Sequence, residues 1–133
     1  MAYLTAYAAV AVVFLAVDAV ALKLLLRPVF ERHVGNMLLA DPRLGVAAVF
    51  YAVYCIGIVY FAVAPGLAKG SALVAARDGA LLGLIAYGTY EFTNYATLRG
   101  WDWRMVAVDV TWGTALTAGA ATVGYLAGRA AGG

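Results

Sequence analysis

Charge is what this chain has least of. Asp, Glu, Lys and Arg together supply 12% of its 133 residues, against 65% hydrophobic residues and a mean hydropathy of +0.89. A soluble domain of this size cannot bury so much apolar surface, because the buried fraction is limited by surface-to-volume scaling, so a water-dissolved globule is excluded and lipid is the expected solvent. Cysteine and histidine are equally scarce. A lone Cys55 excludes an intrachain disulfide, and with His33 as the single histidine there are too few ligands for a usual zinc, haem or iron–sulfur set. No such cofactor is expected; Cys55 reads as a buried apolar filler and His33 as an interface residue. Also missing are a phosphate-binding glycine loop, HExxH, CxxC and GxSxG, which removes the common signatures of nucleotide, metalloprotease, redox and serine-hydrolase sites. The formal net charge of +2 and pI near 8.8 come from cations scattered along the chain, which speaks against nucleic acid as a partner and suits the headgroups of a lipid bilayer.

What is present is a set of four apolar segments, each near the roughly 20 residues that span a bilayer. They are placed at 3–26, 45–64, 72–98 and 105–127. Arg27-Pro28 is expected to close the first, Pro65-Gly66 the second and Arg99-Gly100-Trp101 the third, with Ser71 as the cap that opens the third. Short connections make this an all-α, integral membrane four-helix up-and-down bundle, a single transmembrane domain over 1–133. The first segment lacks a basic leader and a small-residue cleavage site, so it reads as a retained helix, not a signal peptide. The 128–133 end, rich in glycine, is expected to fray. Residues 28–39, with Phe30, Val34, Met37 and Leu38 on one side, suit either a short helix in the membrane interface or a plain connector.

Against this apolar background three carboxylates stand inside the segments. At ~1.5 Å per residue, Asp18 lies about 13 Å from Arg27, Glu91 about 12 Å from Arg99 and Asp109 about 7 Å from Arg104, all measured from one membrane face. Tyr51 and Tyr54 fall about 12 and 16 Å from Arg43 on the same scale, so every helix brings a polar group to one stratum. An acid in hydrocarbon costs about 2.5–3.5 kcal/mol on insertion scales, which makes the stratum a functional hypothesis. Tyr87, Glu91 and Asn94 form one stripe that runs back through Gly83 and Gly79, and Asp109 continues through Gly113, Thr117 and Ala121. Small residues at such spacing mark faces where helices pack.

The chemistry open to this layer follows from its ligands. Carboxylates, phenols, an amide and hydroxyls are hard oxygen donors, suited to a proton, sodium or a divalent cation of the magnesium or calcium type, with the metal left open. In a binding or transport reading Glu91 is the central titrating group, Asp109 and Asp18 are co-ligands or relays, Asn94, Tyr87 and Thr111 orient them, and Tyr51 and Tyr54 complete the layer. Four helices make a narrow path, so a transporter would be a homodimer packed through its glycine faces. The alternative is a non-transporting accessory or assembly subunit of a larger membrane complex, with the acids as interhelical hydrogen-bonding groups. An enzyme acting on lipid through a carboxylate-held metal ranks third.

Val17-Asp18-Ala19, Thr89-Tyr90-Glu91-Phe92-Thr93-Asn94-Tyr95-Ala96-Thr97-Leu98-Arg99-Gly100-Trp101 and Val108-Asp109-Val110-Thr111-Trp112-Gly113-Thr114-Ala115-Leu116-Thr117 together resemble a family of small bacterial inner-membrane proteins. That family is described as four-helix membrane proteins of unknown function. The resemblance implies architecture and a multi-pass place in the bacterial inner membrane, and no activity. In members of the family a tryptophan often stands three residues after the first aspartate, where this chain has Ala21.

Orientation follows from Lys and Arg beside the segment ends, since cytoplasmic loops carry the excess. One face holds six, Lys23, Arg27, Arg32, Arg43, Arg99 and Arg104, and the other holds three, Lys69, Arg77 and Arg129. Both termini are therefore expected outside. Trp101 and Trp103 fit an interfacial belt on the richer face. An alkaline phosphatase fused to the C-terminus is expected to be active and a fluorescent protein fused there dark; the reverse pattern inverts the topology.

Overall fold

The structure is a computed structural model that describes residues 1–132; Gly133 lies outside it. It is all-α, with no strand among the described residues. The elements are α1 (Ala2–Ala21), α2 (Arg27–Val34), α3 (Leu44–Ile58), α4 (Ala64–Lys69), α5 (Ala72–Thr97) and α6 (Trp103–Ala131). A π turn, Leu22–Leu26, joins α1 to α2 without a break, and a second, Val59–Val63, joins α3 to α4. The result is four helical paths long and apolar enough to cross a membrane, Ala2–Met37, Leu44–Lys69, Ala72–Thr97 and Trp103–Ala131.

Neither proline closes its helix. The path runs on through Arg27-Pro28 and through Pro65, and a π turn ends two residues before each proline. The cause is local. Proline has no N–H to give and its ring collides with the carbonyl four residues back, here Leu24 and Phe61, both inside the π turns. Widening that turn moves the carbonyl aside, and in lipid, where a free backbone group costs several kcal/mol, a helix absorbs a proline by such an adjustment sooner than it unwinds. The 28–39 stretch is thus helical only to Val34, as a continuation of α1, then passes through a 3₁₀ turn at Gly35–Met37.

The other ends obey ordinary capping. Ser71 Oγ accepts the Val74 N–H at 3.2 Å, and Asp102 accepts the Arg104 N–H at 2.8 Å to open α6. At the chain's end α6 remains helical to Ala131, which corrects the expectation of a frayed 128–133 tail as far as the described residues go. Gly128 is buried there, with the Ala2 carbonyl and Leu67 against its α-carbon.

Helix α6 is the centre of the bundle, packed along α5 on one side and α1 on the other. The core runs from Ala6, Val10 and Phe14 of α1 through Cys55, Ile58 and Val63 to Leu116, Ala120 and Ala121 of α6. Outside it, large apolar side chains such as Val12, Leu24, Val46, Val49 and Leu73 stand exposed on every path, the surface of a protein whose solvent is hydrocarbon.

Helices α5 and α6 meet almost backbone to backbone. A methyl group added at Gly83 would lie 2.5 Å from the Gly113 carbonyl and 3.0 Å from the Thr114 α-carbon, neither of which can rotate away. Gly113 in turn makes room for the Tyr87 ring, which occupies the space its side chain would take. Both small-residue faces are therefore packed against each other within one chain. Gly83→Ala is expected to destabilise the bundle by about 1–3 kcal/mol, the usual cost of overpacking. Gly57→Ala, with nothing within 4 Å of the added methyl, is expected to be neutral. Thermal melts of the two variants in one detergent check this; equal melting temperatures would contradict the close approach.

Candidate functional site

The helix contact just described carries the site. One turn or two beyond Gly83 and Gly113, towards the loops, α5 brings Glu91 and α6 brings Asp109 into the interior, while α1 adds Asp18. Glu91 is 0% exposed, Asp18 4% and Asp109 7%. Glu91 and Asp109 are immediate neighbours, and Asp18, beside Tyr51, lies within electrostatic reach of Asp109. Among the described residues every ion pair lies elsewhere, at Arg27–Glu31, His33–Asp102, Arg77–Asp78 and Arg104–Asp102, so no cation compensates the acids.

Two of the three have indole partners. Trp112 Nε1 donates to Asp18 Oδ1 at 3.1 Å, linking α6 to α1, and Trp101 Nε1 donates to Glu91 Oε1 at 3.0 Å, linking the loop before α6 to α5. Such bonds are worth about 0.6 kcal/mol on average inside membranes, so they orient the acids more than they hold the bundle. Glu91 Oε2 is the exception: among the described residues it is the buried side-chain oxygen with no hydrogen-bond partner. Leaving such an atom unpaired costs about 1–3 kcal/mol, more than the indole bond returns. A group that supplies a hydrogen, or a positive charge, at the space between Glu91 and Asp109 would remove that cost.

Away from the loops the acids rest on an aromatic floor. Phe14 meets Tyr51 and Tyr54 with ring centroids 5.6 and 5.4 Å apart, Tyr54 meets Tyr87 at 6.3 Å, and the Tyr54 hydroxyl is 3.0 Å from Thr117 Oγ1. Tyr54 and Tyr87 thus belong to the floor, and Tyr51 lies beside Asp18. Above, towards the loops, the site is covered by α2. Phe30 and Tyr90 grip Trp101 edge-on at 5.5 and 5.8 Å, and His33 Nε2 lies 3.6 Å from the Asp102 carboxylate.

Of the residues chosen from sequence, Asp18, Glu91, Asp109 and Tyr51 come together, with Tyr54 and Tyr87 beneath them. Asn94 is half-buried near Tyr90, and its backbone carbonyl receives the Leu98 N–H. Thr111 does not join them. It is exposed on the outer face of α6, because two residues from Asp109 is about 200° around a helix. The residues that sequence reasoning missed are the two indole donors. Trp101 reads as an interfacial anchor, and the family's tryptophan near the first aspartate is lacking at Ala21; the indole that serves Asp18 arrives from α6. The available signal was Trp112 itself, three residues after Asp109, since a tryptophan held inside a bundle seeks an acceptor for its N–H.

The three acids do not gather as a metal cage: among the described residues no group of three or more His, Cys, Asp or Glu side chains is placed to share an ion. The arrangement is a close pair, Glu91 and Asp109, with Asp18 beyond.

No curated protein and no solved structure matches the chain. A family model does match, over residues 3–126, nearly the whole length. The four apolar helices, the exposed hydrocarbon-facing surface and that match lead to one conclusion: the chain belongs to the DUF2177 family, described as predicted membrane proteins.

Proposed function

We propose that this chain binds a proton at the Glu91–Asp109 pair and, in a bacterial inner membrane with both termini outside, serves a transporter that moves a small cation or solute. One observation carries the reading: a fully buried carboxyl group has one oxygen bonded to an indole and the other unpartnered beside a second acid. A single proton held between the two carboxyls gives Oε2 its missing hydrogen bond and removes the repulsion between like charges. A divalent cation is the weaker occupant, because hard metal ions take six or more oxygen ligands and a carboxylate pair with Asp18 turned to Trp112 supplies few. Asp18 acts as the next station, one acid further across the layer, and Trp101 under α2 is the group nearest the loop face. The working unit is a homodimer or a larger membrane complex, since four helices enclose little space.

A second reading rests on a different observation. Both indole–carboxyl bonds join separate segments of the chain, as suits a non-transporting accessory or assembly subunit whose acids are interhelical fasteners.

Glu91→Gln separates the two. The amide keeps an acceptor for Trp101 and brings its own donor to the Asp109 side, so it preserves the hydrogen bonds and abolishes the titration at that position. The variant is expected to melt within about 4 °C of the wild type near neutral pH, the shift that ~1 kcal/mol produces in a small domain. Its melting temperature is expected to respond less to pH than that of the wild type, since Asp109 and Asp18 still titrate, and proton-driven flux in proteoliposomes is expected to vanish. Equal pH responses, with no flux in either protein, would overturn the proton reading in favour of the fastener.

A further inference from the structure

On the outside of the bundle, the seam between α1 and α6 is not filled by protein. Two hollows of about 370 and 560 Å³ open sideways there and share Leu25 and Trp112 as their common wall. On the α6 side the lining is Ala107, Val108, Thr111 and Ala115; on the α1 side it includes Ala16, Val20 and Leu24. Both are apolar apart from Thr111 and the indole. Their extent is informative. From Ala107 to Ala115 is about 12 Å along a helix and from Ala16 to Leu25 about 13 Å, close to the ~15 Å hydrocarbon depth of one leaflet.

The end of the seam nearest the loops carries charge. Arg104 precedes Ala107 by three residues, Val108 by four, Thr111 by seven and Ala115 by eleven, so it stands on the same stripe, about one turn above the apolar lining. Its side chain is 58% exposed, with the guanidinium 5.1 Å from the Trp103 ring and one nitrogen 3.5 Å from Asp102. That carboxylate also accepts the Arg104 backbone N–H and faces His33, which leaves most of the guanidinium's donors free. A cation above two apolar hollows one leaflet deep complements an amphiphile with an anionic head and two chains.

We propose that the α1–α6 seam binds one diacyl anionic phospholipid, with a chain in each hollow on either side of Leu25 and Trp112 and the phosphate at Arg104. The lipid then packs against the indole that holds Asp18, which places a bilayer component one residue away from the acid layer. The site stands whether or not the acids carry a proton.

The test uses Trp112 as reporter, in the full chain with Trp101→Phe and Trp103→Phe, in nanodiscs that mix phosphatidylglycerol and phosphatidylcholine with brominated chains on one or the other. Brominated phosphatidylglycerol is expected to quench Trp112 with about five-fold preference, the factor that corresponds to the ~1 kcal/mol of one arginine near an anionic lipid. Arg104→Gln is expected to abolish the preference, and so is Ala115→Phe, which fills a hollow without changing charge. Lys23→Gln is expected to retain it. Equal quenching by the two lipids, survival of the preference in Arg104→Gln or Ala115→Phe, or its loss in Lys23→Gln would each overturn the proposal. Native mass spectrometry of the unmodified chain gives a readout independent of the tryptophan replacements: retained phosphatidylglycerol that Arg104→Gln sheds supports the site, and a wild type that retains none, or retains both lipids equally, refutes it.

Discussion

Glu91 and Asp109 are neighbours only because α5 and α6 touch backbone to backbone below them. The contact at Gly83 and Gly113 fixes the separation of the two helix axes, and the side chains one or two turns further along inherit that closeness. With larger residues at those glycines the carboxyls would stand further apart, and the lone oxygen of Glu91 would face a gap in place of a second acid. The same contact selects the floor. Room for the Tyr87 ring exists only over a residue with no side chain, and Tyr87 in turn packs on Tyr54, whose hydroxyl meets Thr117.

The cover over the acids depends on a second device, the pair of prolines. Because the π turn at Leu22–Leu26 absorbs Pro28, α1 passes into α2 as one path and delivers Phe30 and His33 to the loop that precedes α6. Trp101 is then held between Phe30 and Tyr90 with its N–H on Glu91, so the loop face of the site is set by residues from three segments. A helix that stopped at Arg27 would leave that indole without its upper wall.

How much of this was legible in the sequence varies with range. The acids, their expected common depth and the glycine stripes follow from helical periodicity alone, and the structure buries Asp18, Glu91 and Asp109 inside the bundle. The helix limits at the prolines were misread because proline as a stop is a rule of water, where a freed carbonyl finds solvent; in lipid the chain bends the ladder and continues. Thr111 stands apart from the acids because the two-residue step from Asp109 turns its side chain through more than half the circumference of α6. The indole donors are tertiary facts. Nothing local to Asp18 announces a partner 94 positions away, and Trp101 looks the same in sequence whether it anchors at an interface or reaches inward to an acid.

The central claim is that the buried acid pair holds a proton, and infrared difference spectroscopy addresses it without any assumption about what the protein transports. Near neutral pH the wild type in lipid should show a carboxylic-acid C=O stretch that shifts in deuterated water and disappears in both Glu91→Gln and Asp109→Asn, as a proton shared by the two groups requires. A spectrum with ionised carboxylate bands only, unchanged in that region by either substitution, would contradict the account.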